Sequence, residues 1–331
     1  MKTVRMIGLA LFAILLYVNF TSCSSNDDVE PDAPQKPKEY VVSLGFTGEI
    51  SVSESPLSRA SGNDLYGILV YSCPNVDGST TYTKFAHGLF DDTSSMTIKL
   101  PEGYKYKFIV TMVVDGKNKI EVNGNVYYTP FNAELTNSFT YTKTISMSNI
   151  TSGKAQLVRK GEVRIPQVDR YHGITSDYIP EKDGKVSIFM KRTVFGAKFI
   201  AENLLGEDKI SITFNSYTPD MEIIHPETEA MGIFTFYDIT KAYSEENYSE
   251  TISTELIWTK ADGVVVPLGT HNITFKRNVL TTVSIKVADV TTENGIGFEL
   301  ETTEMGAEDI TIENGEIVDT NVTPETGQLL T

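Results

Sequence analysis

Thr281-Thr282-Val283-Ser284-Ile285-Lys286-Val287 places its apolar side chains on alternate positions. A period of two turns one face of an extended strand to a core and the other to water, as in an antiparallel sheet. The same texture spreads outward from this stretch. Thr254 to Thr259 and Val264 to Leu268 flank Lys260-Ala261-Asp262-Gly263, where an Asp-Gly pair accepts the positive φ of a tight hairpin. Runs rich in Val, Ile, Thr, Tyr and Phe recur at Tyr40 to Phe46, Glu49 to Ser53, Leu65 to Tyr71, Tyr104 to Val114, Val186 to Met190, Ile210 to Phe214 and Gly232 to Tyr237. Asp77-Gly78, Asp115-Gly116, Asp183-Gly184 and Asn123-Gly124 mark further turns. Helical periodicity is nearly absent, with single turns expected at 202–208 and 242–248. The fold expected is all-β, built as antiparallel β-sandwiches.

Ser, Thr and Gly cluster between Asn149 and Gly161, and the strand pattern lapses there. That lapse predicts a boundary, with one sandwich at 40–150 and a second at 160–290. Residues 291–331 read as last strands or a tail. No internal repeat is visible in the residues themselves, which leaves open that the two halves share a fold. The chain has 331 residues and a net charge of −16, which argues against binding nucleic acid or anionic lipid. The four histidines show no metal-pair spacing, and the elbow, phosphate-loop, dinucleotide and calcium-loop patterns are missing. No catalytic residue, cofactor or metal is expected. Asp91-Asp92 reads as a turn between strands rather than half of a carboxylate pair.

The N-terminus carries an address. Lys2 and Arg5 precede an apolar run from Met6 to Phe20, shorter than the roughly 20 residues of a spanning helix. Thr21, Ser22 and Cys23 follow, and then Ser24, Ser25, Asn26, Asp27 and Asp28. Residues 1–22 are expected to be a lipoprotein signal peptide, with Cys23 the acylated residue, palmitate among its chains. Acyl chains gain about 0.8 kcal/mol per buried CH₂, so two or three hold a protein to a membrane essentially permanently. The run from Ser24 to Asp28 resembles the signal by which Bacteroidetes lipoproteins reach the outer face of the outer membrane, so an anchor there, facing the cell surface, is what that resemblance implies. Pro31, Pro34 and Pro37 then recur with the three-residue period of a polyproline spacer across 23–39. With Cys23 lipidated, Cys73 has no disulfide partner and reads as a small apolar filler.

Glu54-Ser55-Pro56-Leu57-Ser58-Arg59-Ala60-Ser61-Gly62 is a small, polar connection of the kind that proteases cut. A cut between Arg59 and Ala60 separates Tyr40 to Ser53 from everything downstream and opens a sheet edge to a strand from another chain. With the cysteine at 23, the Ser58-Arg59-Ala60 site and two sandwiches, the chain resembles the fimbrillin family, the pilus subunits of Bacteroidetes. Phe275-Lys276-Arg277-Asn278-Val279-Leu280-Thr281-Thr282-Val283-Ser284-Ile285 is similar to that family's closing strand segment. Val194-Phe195-Gly196-Ala197-Lys198-Phe199 is similar to the strand that opens its second domain. The resemblance implies two transthyretin-like or Greek-key sandwiches. It also implies a lipidated precursor cut after Arg59, and a groove filled by a strand from a homologous fimbrial subunit. The end of this chain departs from that pattern, because Pro324 and Gly327 interrupt it before Gln328-Leu329-Leu330-Thr331.

A second function class competes. Tyr82, Phe85 and Phe90 stand in an aromatic-rich stretch and are candidates for a flat glycan-binding platform, which would make the chain a monomeric surface lipoprotein capturing host or dietary glycans. Its sign is a shallow patch with two or more exposed rings.

Overall fold

Burial alternates along strands such as Thr97–Pro101, Lys185–Arg192 and Ser249–Thr259, as the period-two reading expects, whereas Leu65–Pro74 and much of Tyr104–Val113 are buried on both faces. The computed structural model describes residues 37–49, 62–144, 147–153, 156–158, 162–215, 218–287, 298–303, 310–313 and 316–318, all of them within one compact unit. The signal sequence, Cys23, Arg59 and Ala60 lie outside them. The strands are β1 (Glu39–Gly48), β2 (Leu65–Pro74), β3 (Thr83–Phe90), β4 (Thr97–Pro101) and β5 (Tyr104–Val113), then the short β6 (Val122–Asn123), β7 (Val126–Tyr127), β8 (Ala133–Glu134), β9 (Thr140–Tyr141), β10 (Gln156–Val158) and β11 (Glu162–Arg164). β12 (Arg170–Tyr178) and β13 (Lys185–Arg192) complete the first half. The second half holds β14 (Val194–Glu202), β15 (Lys209–Phe214), β16 (Met221–Ile224), β17 (Glu229–Thr235), β18 (Ser249–Thr259), β19 (Val265–Lys276) and β20 (Leu280–Lys286), and then β21 (Phe298–Thr303), β22 (Ile310–Glu313) and β23 (Glu316–Val318).

The first half is built on an eight-stranded sheet in the order β4-β1-β13-β12-β5-β2-β3-β9, with the small sheets β6-β7-β8 and β10-β11 beside it in the chain. Its middle seam is thin, because β12 and β13 pair only at Tyr171–Arg192, His172–Lys191 and Gly173–Met190. Gly173 permits the close approach, since a Cβ there would stand 2.8 Å from the Phe189 carbonyl oxygen. The sheet folds over along this seam. Val42 and Leu44 of β1 and Val186, Ile188 and Met190 of β13 thereby share one core with Ile68, Val70, Phe108 and Val110 of β2 and β5. The two ends of the strand order also meet, where the Lys99 amide of β4 donates to the Tyr141 hydroxyl of β9 at 3.0 Å.

The outward face of β2, β3 and β5 is apolar too, through Leu65, Leu69, Leu89, Ile109 and Val113. The chain between β5 and β12 covers it with Ile120, Phe131, Ala133, Met147, Ile150 and Val168. Arg170 pins this cover. Its fully buried guanidinium donates to the carbonyls of Asn149, Ile150 and Ser152 at 2.7–3.1 Å.

The second half packs the sheet β17-β14-β20-β21-β22-β23 on the sheet β16-β15-β18-β19. Phe195, Phe199, Phe214, Phe234, Phe236 and Phe275 fill the space between them, with Trp258 at its margin.

Strand for strand, the halves repeat one topology. β4-β1-β13 corresponds to β17-β14-β20, and β12-β5-β2-β3 to β19-β18-β15-β16. β1 runs antiparallel to β4 and parallel to β13, as β14 does to β17 and β20.

These pairings move the expected boundary. β12 and β13 lie beyond residue 150 yet belong to the first sheet, and the chain crosses to the second half at Thr193, between Arg192 and Val194. The lapse near 149–161 lies inside the long cover between the fifth and sixth strands. A cover is as poor in alternation as a linker, so the two look alike in one dimension.

Two local expectations also change. Asp115 takes φ 53° and starts the short helix Gly116–Lys119 rather than a hairpin. Residues 202–208 form a turn, whereas Ile239–Ser244 is helical, its Lys241 amide donating to Asp238 at 2.9 Å.

Candidate functional site

β1 is the element on which the cleavage idea turns, and it sits inside the sheet rather than on its edge. Five antiparallel pairs, Glu39–Pro101 to Ser43–Thr97, join it to β4, and six parallel pairs, Ser43–Lys185 to Gly48–Met190, join it to β13. Without β1 those two strands would face each other across an empty slot about two strand spacings, near 10 Å, wide. The opened edge expected from sequence is therefore a gap between two edges.

The slot reads alternate side chains. Val42 and Leu44 are buried in the first core, and Tyr40 and Phe46 pack against it from either end. Phe46 stacks on Tyr66 with centroids 5.4 Å apart and planes 14° from parallel. Val41 between them is 57% exposed, so β1 buries one face only.

The end of β1 is held differently. Gly48 has φ +89°, and a Cβ there would meet the Met190 carbonyl oxygen at 2.7 Å. Beyond it the Glu49 carboxylate accepts from Arg277 Nη1 at 2.9 and 3.0 Å, and from the Arg192 amide at 2.7 Å. The Arg192 guanidinium in turn grips Asp169 through Nε and Nη2 at 2.8 and 2.9 Å and reaches Asn278 at 3.1 Å. Burial opposes the charge on Arg192, but the Asp169 hydrogen bonds and charge outweigh it and leave its pKa raised. Sequence reasoning missed this network. Glu49 reads as the first residue of a strand, although β1 ends at Gly48, and nothing local marks Arg277 as its partner.

The aromatic candidates do not assemble into a platform. Phe90 is fully buried and packs on Phe139. Phe85 is half-buried, edge-on to Tyr106 and Tyr141 at 5.3 and 5.5 Å. Tyr82 is tied to Asp177, donating to its carboxylate at 3.1 Å and accepting from its amide at 3.0 Å. The cause is the strand period: Phe90 falls on the inward face of β3, and Tyr82 lies before that strand begins. Asp91 is occupied by Lys117 and Asn137, at 2.8 and 2.6 Å, and its pKa is lowered chiefly by the Lys117 hydrogen bond. Cys73 is a buried free thiol beside the Ser79 hydroxyl. Among the described residues no group of three or more His, Cys, Asp or Glu side chains is placed to hold a metal.

No family model matches the chain, and no curated protein matches it. Solved structures do. The fimbrial anchor protein Mfa2 from Porphyromonas gingivalis is 11% identical with a TM-score of 0.38, over 84% of this chain and 100% of that one. The tip fimbrial protein Mfa3 from Porphyromonas gingivalis, with a C-terminal truncation, is 11% identical with a TM-score of 0.34, over 83% and 100%. A putative cell adhesion protein from Bacteroides uniformis is 12% identical with a TM-score of 0.34, over 82% and 98%. These say what the chain is similar to, and the functional reading rests on the strand geometry.

Proposed function

We propose that this chain is a cell-surface subunit of a fimbrial, adhesive assembly. It is lipid-anchored at Cys23 as a precursor and cut between Arg59 and Ala60, and its first strand then gives way to a strand from a homologous subunit. The observation that carries this reading is the seat of β1. The strand is interior, paired on both sides, yet buried on one face only and followed by the segment that holds Arg59. A cut there leaves the N-terminal fragment attached by the ladder hydrogen bonds of β1, four apolar side chains and the Glu49 contacts to Arg277 and the Arg192 amide. Its departure would expose two unpaired edges over a groove shaped for alternate apolar residues, the condition under which strand addition is favoured.

The test is the intact mass and N-terminal sequence of protein isolated from its native outer membrane. An N-terminus at Ala60 in the wild type, and a Cys23-lipidated uncut chain in Arg59→Ala, are expected. Wild-type protein that stays lipidated at Cys23 and uncut at Arg59 overturns the reading.

A further inference from the structure

The Lys276-Arg277-Asn278 turn between β19 and β20 belongs to the second half of the molecule, yet its arginine closes on the end of β1 in the first. Arg277 is only 6% exposed, and Glu49 30%. Both Glu49 oxygens lie within 3.0 Å of Arg277 Nη1, which also donates to the Arg192 carbonyl at 3.2 Å. Nη2 has the Glu246 carbonyl at 3.3 Å and the Glu246 carboxylate at 3.8 Å, and Nε is buried without a partner. Glu246 is 74% exposed and already engaged by Lys191 at 2.6 Å. Glu49 is thus the main counter-charge of a nearly buried guanidinium, and it arrives on the one strand that the proposed cleavage would release.

We propose that Arg277, with the Arg192 amide, is a carboxylate-reading site at the far end of the β1 slot. It selects, among extended segments, one that carries an acidic side chain three positions beyond its last inward apolar residue. This inference rests on the strand-exchange reading above. The template is β1 itself: inward residues at Tyr40, Val42, Leu44 and Phe46, a glycine at 48 where the left-handed backbone and the Met190 carbonyl exclude a Cβ, and the carboxylate at 49. A strand with the apolar alternation but no such carboxylate fills the groove and buries Arg277 without its partner. That arrangement is costly, because breaking a buried ion pair leaves an uncompensated charge. The apolar positions supply affinity and the acidic one rejects wrong strands and wrong registers, since a one-residue slip moves the carboxylate out of reach.

The experiment uses the full chain, nicked after Arg59 by an arginine-specific protease, with the singly nicked product isolated. Two readouts follow: the rate at which the N-terminal fragment leaves, and the affinity of the emptied protein for synthetic peptides of residues 38–53 bearing Glu or Gln at position 49. The fragment should leave roughly tenfold faster from Glu49→Gln than from wild type, and the Gln peptide should bind roughly tenfold more weakly. Arg277→Gln protein should bind both peptides equally. Equal affinity of the two peptides for wild-type protein overturns the carboxylate site and leaves strand exchange standing. Departure of the fragment with neither peptide entering overturns strand exchange, while faster release from Glu49→Gln still supports the latch. A fragment that leaves only on global unfolding overturns both.

Discussion

β1 and β14 hold the same place in two copies of one topology, each the first strand of its half, antiparallel to one neighbour (β4 or β17) and parallel to the other (β13 or β20). They are seated differently. β14 makes seven pairs on each side against five and six for β1, so its seat is fuller. Phe195, Ala197, Phe199 and Ala201 face the second core, while Val194 is fully buried on the other face. Only Thr193 separates β14 from β13, so no cut can free it without severing the chain between the two halves. β1 is wet on one face and linked to β2 through residues 50–61. One seat in two copies of a fold is therefore filled by a strand locked between both halves in one case, and in the other by the strand that the proposed cleavage would release.

The comparison breaks if the two seats respond alike. Phe195→Ala removes a ring that packs on Phe234, Phe236 and Phe275 at 4.5–5.6 Å. It is expected to cost about 3–5 kcal/mol, read as a fall in the denaturant midpoint by tryptophan fluorescence of Trp258. Leu44→Ala in β1 is expected to cost about 2–3 kcal/mol, with increased amide exchange concentrated in β1, β4 and β13. Exchange spread evenly over both halves in Leu44→Ala would show that β1 is no separable part.

Acid sharpens the contrast, because the buried titratable histidine sits beside the seam of the first half. His172 is fully buried, and burial, helped by the neighbouring Arg170 charge, lowers its pKa to about 3 from the usual 6.5. Thr111 donates its hydroxyl to the Ile150 carbonyl at 2.8 Å, so His172 Nδ1 donates to Thr111 at 3.2 Å and a second proton would sit on the unpartnered Nε2. The unfolded chain takes up that proton as pH falls below about 6.5, while the folded chain refuses it until about 3. Stability is therefore lost across that window, by up to about 1.4 kcal/mol per pH unit. His172→Asn should flatten the slope of midpoint against pH between 6 and 4, and an unchanged slope would assign the acid sensitivity elsewhere. The smallest effect is expected at Lys209→Ala, which removes a half-exposed pair with Glu222 at 3.0 Å. A change in midpoint equivalent to less than about 0.5 kcal/mol should result.

Much of this was legible one residue at a time. The alternation in Thr281 to Val287 is present as β20, and the hairpin around Asp262-Gly263 joins β18 to β19 with Gly263 at φ +86°. Trp258 packs with the core, as an aromatic on an alternating strand does. The repeat was hidden because topology carries it: Val42, Leu44 and Phe46 do the work of Phe195, Ala197 and Phe199 with different side chains. Phe90 was misread because an aromatic in a strand shows its residue type and not the face it will take.

Sequence alone determined that this chain makes strands, where most of them turn, and that a small, polar segment with one arginine follows the first. Each of these depends on neighbours within a few residues, since side-chain alternation and positive-φ turns are local properties of the backbone. Tertiary structure decided that β1 is an interior strand, that the halves meet at Thr193, and that Glu49 finds Arg277 across 228 residues of chain. Those depend on which edges pair when the sheet folds over its seam, and pairing between distant strands is settled by burial in the whole molecule rather than by any stretch of it.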